Sequence, residues 1–478
     1  MKAADLRQEL GTCAFGDERL NKRCRRLAEL LGEKPNISIP AALKTKADIE
    51  ACYRFFSNDR VTPEAILQPH FECTRHRVAA LDFVLFVQDT TEIDLTRPEE
   101  QVQGAGPMDC ESRRGAFFHP LIAFDREGVP LGLVGQQSWT RDSISQASDL
   151  EKLKTRRKKP IEQKESYRWL KGVRCAENVA AQCPQTTCVV VGDSESDIYD
   201  IFTAVVNTSQ RNLALLVRAG QNRNTIEGED WLDEVRATSK IGDQTVAVRA
   251  RTAKTGAAKT ARSRSRKARI AELEIRKATI QLRRPVNGDK RMPESISVNV
   301  VLCEEAHPPP GEDAIRWMLV TSLPIDSNYD VQQVISGYCV RWQIEVYFRT
   351  LKSGCRIEHR RFETIDRVLN CLAFFSVIAW RVMHVCHLGR QCPDLDCEVI
   401  FEPSEWKSVY AILNLKPPQH GCPKLNELIR AIARLGGFID RSKNAPGTQT
   451  LWIGLQRCYD LSNAWNTFGP GAKKFSPN

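Results

Sequence analysis

Two uninterrupted apolar runs constrain this chain more than anything else in it: FVLFVQD, residues 83–89, and TTCVVVGD, residues 186–193. Neither alternates polar with apolar side chains, so each needs cover on both faces, as a strand inside an α/β sheet has. Each also ends at an acid, Asp89 and Asp193. Between them, AFFHPLIAF and VPLGLVGQQSW flank the turn DREG and read with the first run as a three-stranded meander. A helix is expected from about Ile161 to Ala181, and NLALLVR supplies a fifth strand. After IRWMLVTSLP comes VRWQIEVYFRTLKSG, residues 340–354, expected as one helix with Ile344, Phe348 and Leu351 on its buried stripe.

The flanks differ in texture. The first eighty residues read as helical, with RLNKRCRRLAELLG a basic amphipathic helix ending at Gly32 and a second helical stretch broken at Asn58 and Pro63. Residues 221–310 form a region of different composition, read as a β-rich insertion carrying a basic arm, Lys254 to Arg269, with no balancing acids. The expected domains are a helical module at 1–75, a catalytic domain at 76–388 holding that insertion, and a helical domain at 389–478.

The chain's 478 residues carry a formal charge of +10 with Lys and Arg gathered in runs, which favours a polyanionic partner. Seventeen cysteines without disulfide-framework spacing read as reduced thiols in a cytoplasmic protein, with no secretory leader and no apolar run approaching bilayer length. His384, Cys386, His387, Cys392 and Cys397 are of zinc-ligating types but lack paired knuckle spacing, so they read as thiols along an apolar helix.

Strand order relates three acids. In a ribonuclease-H-like sheet the first and fourth strands are neighbours, so Asp89 and Asp193 would leave the same edge. A helix packed there would present Glu345. Three convergent carboxylates suit two Mg²⁺ ions, with Mn²⁺ able to substitute, and such a pair performs phosphoryl transfer. Each acid also has a plain structural reading: Asp89 as a strand-end cap, Asp193 as a helix N-cap, Glu345 as the ion-pair partner of Arg341 and Arg349. Asp94, Glu195 and Asp197 stand as substitutes.

The spacing Y-x-x-R-x-x-x-E-x-x-x-x-x-x-K is complete here as Tyr338, Arg341, Glu345 and Lys352, and QDTT and GDSESDIYDIF surround the two aspartates. On these motifs the chain resembles the insertion-sequence-four family of DDE transposases. The likeness runs from ACYRFFSNDRVTPEAI to AIARLGGFIDR. It implies an α/β, ribonuclease-H-like catalytic core with a β-rich insertion, flanked by N-terminal and C-terminal helical domains.

It further implies a cut-and-paste enzyme that nicks double-stranded transposon-end DNA, forms and opens a hairpin, and joins the 3′-hydroxyl to target DNA. Asp89, Asp193 and Glu345 would be the catalytic metal ligands. Arg341, Lys352 and Tyr338 would hold phosphates, while Trp317 and Trp342 would shelter an unstacked base. Arg19, Lys22, Arg23 and Arg26 would recognise end DNA, and helices around AIARLGGF would form the homodimer of a synaptic complex. The resemblance places the protein in a bacterial cytoplasm, associated with the nucleoid and not with a membrane. A nuclease or resolvase on the same fold, or a catalytically inactive DNA-binding repressor, is the competing reading.

Overall fold

The computed structural model describes residues 6–43, 45–97, 99, 101–143, 159–248, 267–441 and 444–470. Most of the basic arm, and most of the basic loop KLKTRRKKP, lie outside them. The fold is mixed α/β, with a ribonuclease-H-like sheet and helical segments at both ends. Among the described residues the strands are β1 (Phe83–Gln88), β2 (Thr91–Asp94), β3 (Gly106–Pro107), β4 (Arg114–Phe124), β5 (Pro130–Trp139), β6 (Thr187–Gly192), β7 (Leu213–Arg218), β8 (Gly242–Val248), β9 (Arg269–Arg283), β10 (Ser295–Glu305) and β11 (Arg316–Thr321).

Two compact units divide the chain. One takes Met1–Ala80, Thr90–Gln146 and Trp342–Asn478; the other takes Leu81–Asp89 and Ala147–Arg341.

In the second unit β1, β6 and β7 run parallel, and β11, β10, β9 and β8 continue the sheet antiparallel in that order. Every residue of β1 is buried, as an apolar run without alternation requires. The turn into β6 is tied by Asn212, whose Nδ2 donates to the carbonyls of Ala180, Cys183 and Thr186. The strands of the β-rich region thus extend the sheet that holds β1 and β6, after a short helix at Trp231–Arg236. The expected helix at 161–181 begins later, at Tyr167, after a separate 3₁₀ turn at Ile161–Gln163.

The first unit packs the helix Pro63–Ala79 and the long helix Ile365–Gln391 against the β4–β5 hairpin. Thr62 caps the former with Pro63 at its first turn, the expected break. The latter corrects the sequence expectation about bilayer-length segments: its 27 residues are long and apolar enough to span one. Yet 89% of its most apolar window is buried inside the protein, because it is the core helix of this unit.

A network of buried polar groups holds the N-terminal segment to that core. His70 accepts the Leu133 N–H at Nε2 (3.0 Å), which leaves Nδ1 to donate to Glu9 Oε2 (2.6 Å). Arg77 Nη1 meets the other Glu9 oxygen at 2.6 Å, and its guanidinium lies 4.6 Å from the Trp380 ring. At the C-terminal end, the helices Pro403–Ile412, Leu425–Leu435 and Thr448–Phe468 share one core. The backbones of the last two touch, and a Cβ at Gly454 would collide with the Ile432 carbonyl.

Two further expectations change. FVLFVQDTTEI is two strands, broken at Asp89–Thr90. The helix expected over 340–354 is three pieces: Asn328–Val340 ends at Arg341, Gln343–Arg349 follows, and Thr350–Gly354 widens into a π turn. The π turn adds backbone per turn, so Glu345 and Lys352 are not two regular α turns apart. Ile344, Phe348 and Leu351 are nevertheless buried, joined by Tyr347.

Candidate active site

β1 and β6 are in parallel register with Val87 opposite Val191. Two further residues along each chain bring Asp89 level with Asp193, on strands spaced about 5 Å apart. Adjacent parallel strands that stop together therefore deliver two carboxylates to one sheet edge.

Each carboxylate is held differently. Asp89 Oδ2 receives Arg341 Nη1 at 3.1 Å, and both side chains are 14% exposed. Asp193 caps the 3₁₀ turn Ser194–Ser196, its Oδ1 accepting the Glu195 N–H at 2.8 Å. That turn sits close to the strand end, for a Cβ at Gly192 would collide with Ser196 Oγ.

Around the pair stand groups of opposite charge. Arg341 occupies the break after the helix Asn328–Val340, so its guanidinium leaves at the helix end rather than from a helical face. It lies 5.8 Å from the ring of Tyr338, a buried tyrosine whose pKa is raised by burial, opposed by Arg341 and Arg218 and reinforced by Asp193. Trp317, on β11 opposite Cys303, is half-buried, with its ring centroid 6.4 Å from that of Tyr338.

Sequence reasoning missed Arg168. It enters at the start of the helix Tyr167–Gln182, where Gly172 packs directly against Gln88, the residue before Asp89. Arg168 Nη2 pairs with Glu195 Oε2 at 2.7 Å and Nη1 donates to the Glu165 carbonyl at 3.0 Å. Burial lowers its pKa, while Glu195, Glu165, Asp193 and Asp89 all act to raise it. Nothing in ESYRWL distinguishes this arginine from an ordinary helix-start cation.

The substitute acids have other partners. Asp94 is paired with Arg113 at 2.9 Å, and Asp197 is wholly buried against Arg223. Glu195 is the partner of Arg168. The donor set at the strand ends is hard oxygen, which suits a hard divalent cation. Among the described residues no three His, Cys, Asp or Glu side chains are gathered as a metal site.

The remaining candidates belong to the first unit. Glu345 lies half-buried in the first turn of the helix Gln343–Arg349, and Trp342 just before it is 50% exposed. Lys352 in the π turn approaches Glu358 Oε1 at 3.4 Å. The helix Glu18–Glu33 buries Cys24, Leu27, Ala28, Leu30 and Leu31, and leaves Arg19, Lys22 and Arg26 exposed and Arg23 half-buried. Three of these cations lean on local acids: Arg19 on Asp17, Arg23 on Asp48 and Arg26 on Glu29.

In the Cys/His stretch, Cys392 is exposed and Cys397 lies beyond the helix Ile365–Gln391. His384 Nδ1 lies 2.9 Å from the Pro130 carbonyl and burial pushes its pKa down to about 4; burial raises the Cys386 and Cys397 thiols.

Residues 3–61 match the family "Transposase DNA-binding", residues 172–379 "Transposase DDE domain", and residues 377–464 "Transposase Tn5 dimerisation domain". Among solved structures, a piggyBac transposase synaptic complex with hairpin DNA is similar at 8% identity and a TM-score of 0.35, over 98% of this chain and 77% of that one.

Proposed function

We infer that this chain, which belongs to the Tn5-like DDE transposases and is a metal-dependent enzyme acting on DNA, carries out cut-and-paste transposition through a nicked and then hairpinned transposon end. The observation that carries the reading is the level placement of Asp89 and Asp193 at the ends of β1 and β6 with Arg341 on Asp89. Glu345 would be the third acid of the set, four residues after Arg341 in the sequence.

Asp89, Asp193 and Glu345 would hold two divalent ions, Mg²⁺ in the cell with Mn²⁺ able to substitute. When bound, the ions supply an activated nucleophile and stabilise the oxygens that enter and leave in an in-line displacement. The protein's own residues do the rest. Arg341, released from Asp89, and Lys352 hold the DNA backbone, and Tyr338 adds a hydrogen bond to phosphate. Trp317 and Trp342 offer faces for a base that leaves the stack when the strand folds back.

The helical segment 1–75 would recognise end DNA through Arg19, Lys22, Arg23 and Arg26. Segment 76–388 would be catalytic and 389–478 would dimerise. The apolar side of AIARLGGF lies within the monomer's own core, so the dimer contact would use the outward side of these helices. The synaptic complex would be a homodimer working in the nucleoid.

The test is incubation of the full chain with transposon-end DNA, a target plasmid and Mg²⁺. Joined end–target products, with a hairpin intermediate on denaturing gels, are expected. Cleaved ends without joining would assign a nuclease or resolvase, and binding without cleavage a repressor.

A further inference from the structure

We propose that Asp197 and Arg223 form a positioning clamp that fixes Asp193 at the active edge, an assignment that rests on Asp193 being a metal ligand. Asp197 is fully buried, four residues past Asp193, and its two oxygens are filled by four donors. Oδ2 accepts the Gly220 and Gln221 N–H groups, both at 2.8 Å. Oδ1 accepts Arg223 Nε at 2.9 Å and Nη2 at 2.6 Å. The Asp197 carbonyl takes Arg223 Nη2 at 2.7 Å and the Gln221 side chain at 3.1 Å.

These bonds join two segments distant in sequence: the turn 193–197 after β6, and the loop 219–223 after β7. The approach is close, since a Cβ at Gly220 would meet the Ser194 carbonyl at 2.7 Å. The Ala219 N–H donates to the Met318 carbonyl at 2.7 Å, which ties the same loop to β11 beside Trp317. Within the turn, Ser196 Oγ donates to the Asp193 carbonyl at 2.6 Å. Asp193 is thus the half-buried end of a turn anchored at Asp197, and the depth of that anchor sets where its carboxylate points. A buried, fully bonded ion pair is costly to disrupt and rigid while intact. Groups that orient a metal ligand without touching the ion commonly govern metal affinity about 10–100-fold.

The experiment titrates the full chain with Mn²⁺ alone, reading free Mn²⁺ by electron paramagnetic resonance, with hydrogen exchange at the Gly220 and Gln221 amides measured alongside. Arg223→Lys keeps the charge but loses the fork of donors. It should weaken Mn²⁺ binding about 10-fold and speed exchange at both amides. Gln221→Ala, at an exposed position, removes one donor and should shift affinity in the same direction by about 2–3-fold; it decides the matter if Arg223→Lys does not fold. Faster exchange with unchanged Mn²⁺ affinity would overturn the clamp and leave a purely structural ion pair. Asp193→Ala is the control: if it leaves Mn²⁺ affinity unchanged, Asp193 is not a ligand, and the site reading falls together with the clamp.

Discussion

Arg341 Nη1 lies 3.1 Å from Asp89 Oδ2, joining the end of a helix to the end of the first core strand. If Asp89 is a metal ligand as proposed, a divalent ion there would compete with this guanidinium. Arg341→Ala should therefore bind Mn²⁺ more tightly, by about 10-fold if the charged hydrogen bond contributes roughly 1.5 kcal/mol. The same change should slow end nicking, because the displaced guanidinium is no longer there to hold phosphate. Metal titration and nicking rate moving in opposite directions is the signature; a loss of both would make Arg341 a support of Asp89 alone.

Alanine at Asp89, Asp193 or Glu345 should abolish nicking while end-DNA affinity changes less than about 3-fold, since affinity comes mainly from basic surfaces. Gel-shift and cleavage assays on the same preparations separate the two. Asp197 does not replace Asp193 if that variant stays active, because it is already saturated by Arg223 and two backbone donors.

Trp317→Ala should leave first-strand nicking intact and lower hairpin formation about 10–100-fold, the loss of roughly 1–3 kcal/mol of base stacking. Time courses on denaturing gels resolve nicked from hairpinned ends. A parallel decline in both steps would return Trp317 to the role of a partner for Tyr338.

Acid stability should depend on Glu9. Burial alone would raise its pKa, but its partners His70 and Arg77 hold it down at about 2, so its contribution is fully present above the ordinary carboxylate value near 4.5 and is lost as pH falls toward 2. His70 acts in a higher window: burial lowers its pKa, so the folded state resists the proton that the unfolded chain takes up below about 6.5. Glu9→Gln should cost about 3–5 kcal/mol at neutral pH, as breaking a buried pair does, and should flatten the drop in melting temperature between pH 4.5 and 2. An unchanged acid limb in scanning calorimetry would remove Glu9 from the network.

Neutralising four cations between Lys254 and Arg269 should weaken binding to all DNA sequences alike and reduce the slope of log affinity against log salt by up to about 3–4. An identical slope would mean that the arm does not touch phosphate.

Chain order alone located much of this protein. Burial on both faces is written into FVLFVQ and TCVVVG. The aspartates stood out as candidates because each directly follows such a run, and Tyr338, Arg341 and Lys352 because their spacing from Glu345 is local. What tertiary structure decided was partnership. The pairs Arg341–Asp89, Arg223–Asp197 and Arg168–Glu195 are contacts across 252, 26 and 27 residues. No local pattern encodes such distances, because a charged side chain pairs with whatever the folded backbone brings within about 3 Å of it. The apolar helix Ile365–Gln391 is the same lesson in another form: its composition suits lipid and protein interior equally, and only the packing of Pro63–Ala79 and β5 against it selects the interior.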